Sequence, residues 1–140
     1  MPILTLSATT REQLTHWLHS DTTLVACLCA AWCDVCRDYR ANFDLLAAQY
    51  TACNFVWIDI EDHADLVGDI DVDNFPTLLI QRGPHVTFFG SVQPGLQLAG
   101  RLIQAQLDKS SDELAADLSV SAEKQRWQTE LHLAQRLAPD

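Results

Sequence analysis

The strongest constraint on the fold is an unbroken apolar run over residues 24–31, Leu-Val-Ala-Cys-Leu-Cys-Ala-Ala, which stops at Trp32-Cys33-Asp34-Val35-Cys36. A run without polar alternation is the pattern of a strand buried on both faces, at the centre of a covered sheet. A chain of 140 residues can close such a core as one unit without disulfide staples. The flanking sequence supplies the cover. Residues 3–6 read as a short first strand. Residues 10–19 read as a helix with Thr10 as N-cap and Leu14, Trp17 and Leu18 on one stripe. After Cys36 a helix is predicted to about Tyr50, because Tyr39, Phe43, Leu46 and Tyr50 fall on one face. Residues 55–60 form a second buried-type strand and residues 61–69 a short acidic helix. Residues 78–80 and 85–89 flank Arg82-Gly83-Pro84 as an antiparallel hairpin, and residues 96–107 form a helix. Alternating strands and helices that end in a hairpin predict an α/β fold, with a mixed central sheet of four to five strands and helices on both faces.

Residues 109–140 contain no glycine and one proline and read as a helical C-terminal extension to a domain spanning residues 1–108. Ser111 or Asp112 can start a first helix, and Ser121 can cap a second. Trp127, Leu131, Ala134 and Leu137 then share a stripe that docks on the domain or, in the alternative, meets a protein partner or a second copy of the chain.

The net charge of −10 argues against nucleic acid and against anionic membranes, since both are bound through Lys and Arg. Seven acids and no Lys or Arg lie between Asp59 and Asp73, a solubilising surface or one that selects neutral or basic partners. No apolar stretch reaches the roughly 18 residues of a membrane span. The first residues show no signal-peptide pattern, so the expected location is the cytoplasm.

Five cysteines, four of them within ten residues, look like a redox or metal site rather than a secreted disulfide framework. Cys33 and Cys36 have the spacing at which two sulfurs meet across a first helical turn. A helix N-terminus favours the Cys33 thiolate, the species that attacks a disulfide, and Cys36 can resolve the mixed disulfide. Asp34 sets a carboxylate beside that thiolate. Cys27 and Cys29 share one face of the apolar strand and read as small buried hydrophobes. The alternative is that they lie beneath Cys36 and form a second disulfide or accept a shuffled one. Four thiolates also suit zinc or an iron–sulfur cluster, but two ligands inside a strand argue against it, and no metal is expected. Cys53 reads as filler at a strand start. The histidines show no metal-ligand spacing with the cysteines.

The segment Ala31-Trp32-Cys33-Asp34-Val35-Cys36-Arg37, with Phe75-Pro76-Thr77 about forty residues further on, resembles the thioredoxin family over roughly residues 3–108. The resemblance implies a thioredoxin-like fold and a protein thiol-disulfide oxidoreductase. In it Cys33 is the exposed nucleophile and Cys36 the buried resolving thiol. Trp32 flanks the site, and Pro76 is a cis-proline facing the disulfide. Phe75 offers backbone to an extended substrate. It implies no cofactor beyond the redox-active Cys33–Cys36 disulfide, disulfide-bearing proteins as substrates and a separate reductase as electron donor. Three departures stand out. Asp34-Val35 replaces the usual Gly-Pro. The usual buried Asp five residues before the Trp is Cys27, and its Lys partner reads as Trp57, with Asp59 as a substitute carboxylate. The loop Asp71-Val72-Asp73-Asn74 is acidic where a basic residue is common. The missing buried Asp and the added C-terminal tail support a second reading, a binding module of adaptor or chaperone type with little redox turnover, in which the acidic surface and the tail hold a partner.

Overall fold

The computed structural model describes residues 3–7, 10–18, 22–30, 32–67, 75–82, 85–92, 96–131 and 133. The strands are β1 (Ile3–Thr5), β2 (Thr23–Cys29), β3 (Cys53–Asp59), β4 (Thr77–Arg82) and β5 (His85–Ser91). The helices are α1 (Arg11–Leu18), α2 (Asp34–Gln49), α3 (Ala64–Val67), α4 (Leu96–Asp108), α5 (Ser111–Val120) and α6 (Ala122–Glu130). They build one five-stranded sheet in the order β1-β3-β2-β4-β5. β1 and β2 flank β3 in parallel, and β4 runs antiparallel to both β2 and β5. The expected central strand is central, and all seven of its residues are buried.

The two-residue period of β2 divides the core. Leu24, Ala26 and Leu28 face a layer with Leu14 and Leu18 of α1 and Leu66 and Val67 of α3. Val25, Cys27 and Cys29 face the opposite layer, with Cys36, Tyr39, Phe43 and Leu46 of α2 and Ala99 and Ile103 of α4. Arg82 ties the end of β4 to the end of α4, donating to the carbonyls of Gln106 and Lys109. Those are the carbonyls a helix end leaves without intrahelical partners.

The hairpin is present: Arg82 pairs with His85, while Gly83 and Pro84 lie outside the described residues. A register shift between Ile80 and Gln81 leaves Thr87 as an extra residue on β5. The expected acidic helix is shorter than residues 61–69. The Asp59 carboxylate accepts from the N–H groups of Glu61 (2.8 Å) and Asp62 (3.1 Å), holding the chain in a turn until Ala64.

Ser110, one residue before the expected start, caps α5 through a reciprocal bond with Glu113, and Ser121 caps α6. α6 ends at Glu130, so the stripe does not continue as one helix to residue 137. Trp127 packs against the α1 layer, and Leu131 and Leu133 are buried in it. Ala134 and Leu137 lie outside the described residues. The Gln128 carboxamide takes both backbone groups of Val86 on edge strand β5: Oε1 accepts from its N–H at 2.8 Å, and Nε2 donates to its carbonyl at 2.7 Å. Gln81 Oε1 accepts from the Leu133 N–H at 3.3 Å.

Candidate functional site

The chain reverses direction at the end of β2. The Cys33 N–H donates to the Ala30 carbonyl at 3.0 Å, and the Cys33 carbonyl accepts from Arg37 N–H at 3.1 Å. Cys33 is thereby the N-cap of α2, in extended backbone geometry. It is half-buried and stands where the helix collects unpaired N–H groups and partial positive charge. Asp34 forms an ion pair with Arg37 one turn on, so a cation on the same rim answers the carboxylate beside Cys33.

Cys36 points inward. It begins the stripe Cys36, Tyr39, Phe43, Leu46 that α2 buries against the sheet. Directly beneath it is Cys29. The two sulfurs are bonded in a Cys29–Cys36 disulfide with a Cα–Cα separation of 5.7 Å, within the usual range for such bridges. Cys27, Cys33 and Cys53 are free thiols. The bond this structure holds is therefore not Cys33–Cys36, and Cys29 is more than a packing residue. Two periodicities explain this. The β-strand alternation points Cys29 into the α2 layer, and the helical stripe carried one step back from Tyr39 points Cys36 into the same layer.

Cys27 Sγ lies 3.6 Å from Cys29 Sγ. Burial holds the Cys27 thiol well above its ordinary range, so it stays protonated. Cys27 is in register with Trp57 across the sheet, the pairing that the resemblance implies. A thiol and an indole therefore stand at these facing positions. The Arg40 guanidinium lies 5.1 Å above the Trp57 ring, which also meets Phe43 edge-on.

An open cavity of about 330 Å³ reaches Cys36 from the side of β3, lined by Ala30, Cys36, Arg37, Arg40, Trp57 and Asp59. Asp59 thus puts a carboxylate on the wall that Cys36 shares. Arg37 and Arg40 were not read as site residues. Their signal was their spacing of one and four from Cys36, which turns them to the helix flank beside it.

Beside Cys33 is an apolar rim. Trp32 is 63% exposed and meets Phe75 edge to face at 5.7 Å between ring centroids. Val35 is exposed as well. Phe75 and Cys33 pack against the same cluster as the disulfide. The Phe75–Pro76 peptide bond is cis, and the Pro76 carbonyl accepts from Val92 N–H at 3.0 Å. The acidic loop, residues 71–74, lies outside the described residues. Of the histidines, His63 is buried and satisfied: Arg11 donates to its Nδ1 and its Nε2–H donates to the Leu6 carbonyl, each at 2.8 Å. Among the described residues no helix is long and apolar enough to cross a membrane.

Comparison with known proteins agrees with this geometry. A family model described as Thioredoxin matches residues 5–100. A thioredoxin of Mycoplasma genitalium is 23% identical over 69 residues, which cover 49% of this chain and 68% of that one. Among solved structures, the thioredoxin of Trypanosoma brucei brucei matches with a TM-score of 0.64 at 17% identity, covering 77% of this chain and 93% of its own. The Nicotiana alata thioredoxin NaTrxh matches with a TM-score of 0.63 at 22% identity, covering 74% and 90%. At these identities the structural matches speak for the fold.

Proposed function

The chain belongs to the thioredoxin family, and from that premise we propose that it is a thiol-disulfide oxidoreductase acting on protein disulfides through Cys33 and Cys36. The Cys33 thiolate attacks a substrate disulfide, forming a mixed disulfide and releasing one substrate thiol. Cys36 attacks the Cys33 sulfur, releasing the second substrate thiol and leaving a Cys33–Cys36 disulfide. Trp32, Val35 and Phe75 form the apolar border of the substrate groove, and the backbone before Pro76 pairs with the substrate's extended chain. A separate reductase returns the two electrons. In a reducing compartment such as the cytoplasm the net flow is toward reduction of the substrate.

One observation carries the reading: a half-exposed cysteine caps α2 while the cysteine one turn on is buried and already joined in a disulfide. The family's usual carboxylate position is occupied by Cys27, and Asp59, which lines the cavity beside Cys36, takes the role of accepting a proton from the resolving thiol. The test is dithiothreitol-driven reduction of insulin by the full chain, alongside Cys33→Ser and Cys36→Ser. The expected result is catalysis that falls to the uncatalysed rate in Cys33→Ser. Turnover unchanged by both substitutions refutes the reading and leaves the fold as a binding scaffold.

A further inference from the structure

We propose that Cys29 is a third redox thiol, so that the oxidised protein stores its disulfide as Cys29–Cys36 and keeps Cys33 as a free thiol. The inference rests on the oxidoreductase reading and adds a step to it. Cys27, Cys29 and Cys36 are each at most 1% exposed and belong to one packed cluster, with Cys33 packed against it. Cys36 is therefore flanked by two cysteines: Cys33 three residues back on the outer side, and Cys29 beneath it on β2. The backbone already holds Cys29 and Cys36 at a separation suited to a bridge, 5.7 Å between Cα atoms.

The added step is an internal exchange. After Cys33 and Cys36 have taken two electrons' worth of oxidation from a substrate, the Cys29 sulfur attacks Cys36 Sγ. The Cys29–Cys36 bond forms and the Cys33–Cys36 bond breaks. The departing Cys33 sulfur takes up a proton equivalent to the one Cys29 loses, exchanged through solvent that the open cavity beside Cys36 admits. No external oxidant or reductant is consumed, because one disulfide and one thiol become one disulfide and one thiol. The exchange moves the disulfide from the half-exposed rim to a buried pair. An incoming protein thiol then meets Cys33 first, the one of the three that is not buried.

The experiment uses the full chain equilibrated in mixtures of reduced and oxidised dithiothreitol and quenched in acid. Free thiols are labelled with N-ethylmaleimide, the disulfides are reduced, and the released thiols are labelled with its deuterated form. Cleavage before Asp34 separates Cys33 from Cys36, and tandem mass spectrometry reads the label at each position. The expected result is Cys29 and Cys36 carrying the second label and Cys33 the first in at least nine-tenths of the oxidised protein. In Cys29→Ala, Cys33 and Cys36 should carry the second label together. Their midpoint should lie about 30 mV or more above that of the parent chain, the shift that a tenfold preference for the buried pair converts to. If Cys29 keeps the first label at every poise while Cys33 and Cys36 exchange theirs, the inference fails and the oxidoreductase reading stands. If no cysteine acquires the second label at any poise, both fail. The label map of the parent chain decides the matter even if Cys29→Ala does not fold.

Discussion

Removing the Gln128 carboxamide should loosen the C-terminal helices from the sheet. Its two bonds to Val86, at 2.8 and 2.7 Å, occupy the outward N–H and carbonyl of an edge strand, and a third bond at 2.8 Å reaches the Lys124 carbonyl within α6. A neutral hydrogen bond contributes about 0.5–1.5 kcal/mol net. The two inter-element bonds thus set the scale at about 1–3 kcal/mol. Gln128 is only partly buried, so water can take over some of the load, and Gln128→Ala is expected to cost about 1–2 kcal/mol. Urea unfolding followed by tryptophan fluorescence reads this as a midpoint lowered by roughly 0.5–1 M, given a slope of about 2 kcal/mol per M. Gln128→Glu should be no better, since a carboxylate keeps the acceptor for the Val86 N–H but faces the Val86 carbonyl with a second acceptor. Hydrogen exchange at the Val86 amide supplies the local readout and should speed up in both variants. A Gln128→Ala protein within about 0.3 kcal/mol of the parent, with the Val86 amide equally protected, would refute the reasoning.

The Tyr39 hydroxyl is buried with no hydrogen-bond partner among the described residues, and burial pushes its pKa upward. An unpaired buried hydroxyl costs about 1–3 kcal/mol, so Tyr39→Phe is expected to stabilise the protein by about 1 kcal/mol in thermal or urea unfolding. A loss of that size would show that the hydroxyl is bonded in solution. Burial also pushes the Cys53 thiol up to about 11 from 9.0. A folded-state value above the unfolded one favours the protonated thiol. That contribution is complete below about pH 9 and is lost as pH rises toward 11. Stability measured from pH 8 to pH 10.5 should therefore fall, and Cys53→Ala should fall less steeply. Equal slopes would refute the assignment.

Most of the fold is legible in the sequence because its signals are periodic and local. The apolar run of β2 and the stripe of α2 follow from spacing, the hairpin from its Gly-Pro turn signal, and the pairing of Trp57 with Cys27 from the resemblance to the thioredoxin family. The Cys29–Cys36 bridge is legible only as the alternative to packing, cysteines lying beneath Cys36, because it joins two different periods across two elements. A motif read along the chain favours the cysteine three residues away over the one beneath. The tail was legible as helices but not as to its ends. The turn that places Leu131 and Leu133 together in the core depends on what the sheet offers them, and no pattern within residues 121–140 contains that. The turn at Asp59 was missed for a related reason: its carboxylate competes with helix formation through a local bond that apolar periodicity does not register.

The alternation of β2 makes the sheet a bulkhead. The cysteines lie in the compartment with α2 and α4, while Trp127 of α6 and Leu131 and Leu133 after it pack in the compartment with α1 and α3. β2, β3 and β4 each supply alternate residues to both. The two sides can therefore be altered separately: substitutions under the tail can change how firmly it is held without placing a new side chain beside a sulfur. A signal from one compartment to the other would have to travel as a movement of the sheet, by way of the backbones of β2, β3 and β4, each of which carries buried residues on both sides.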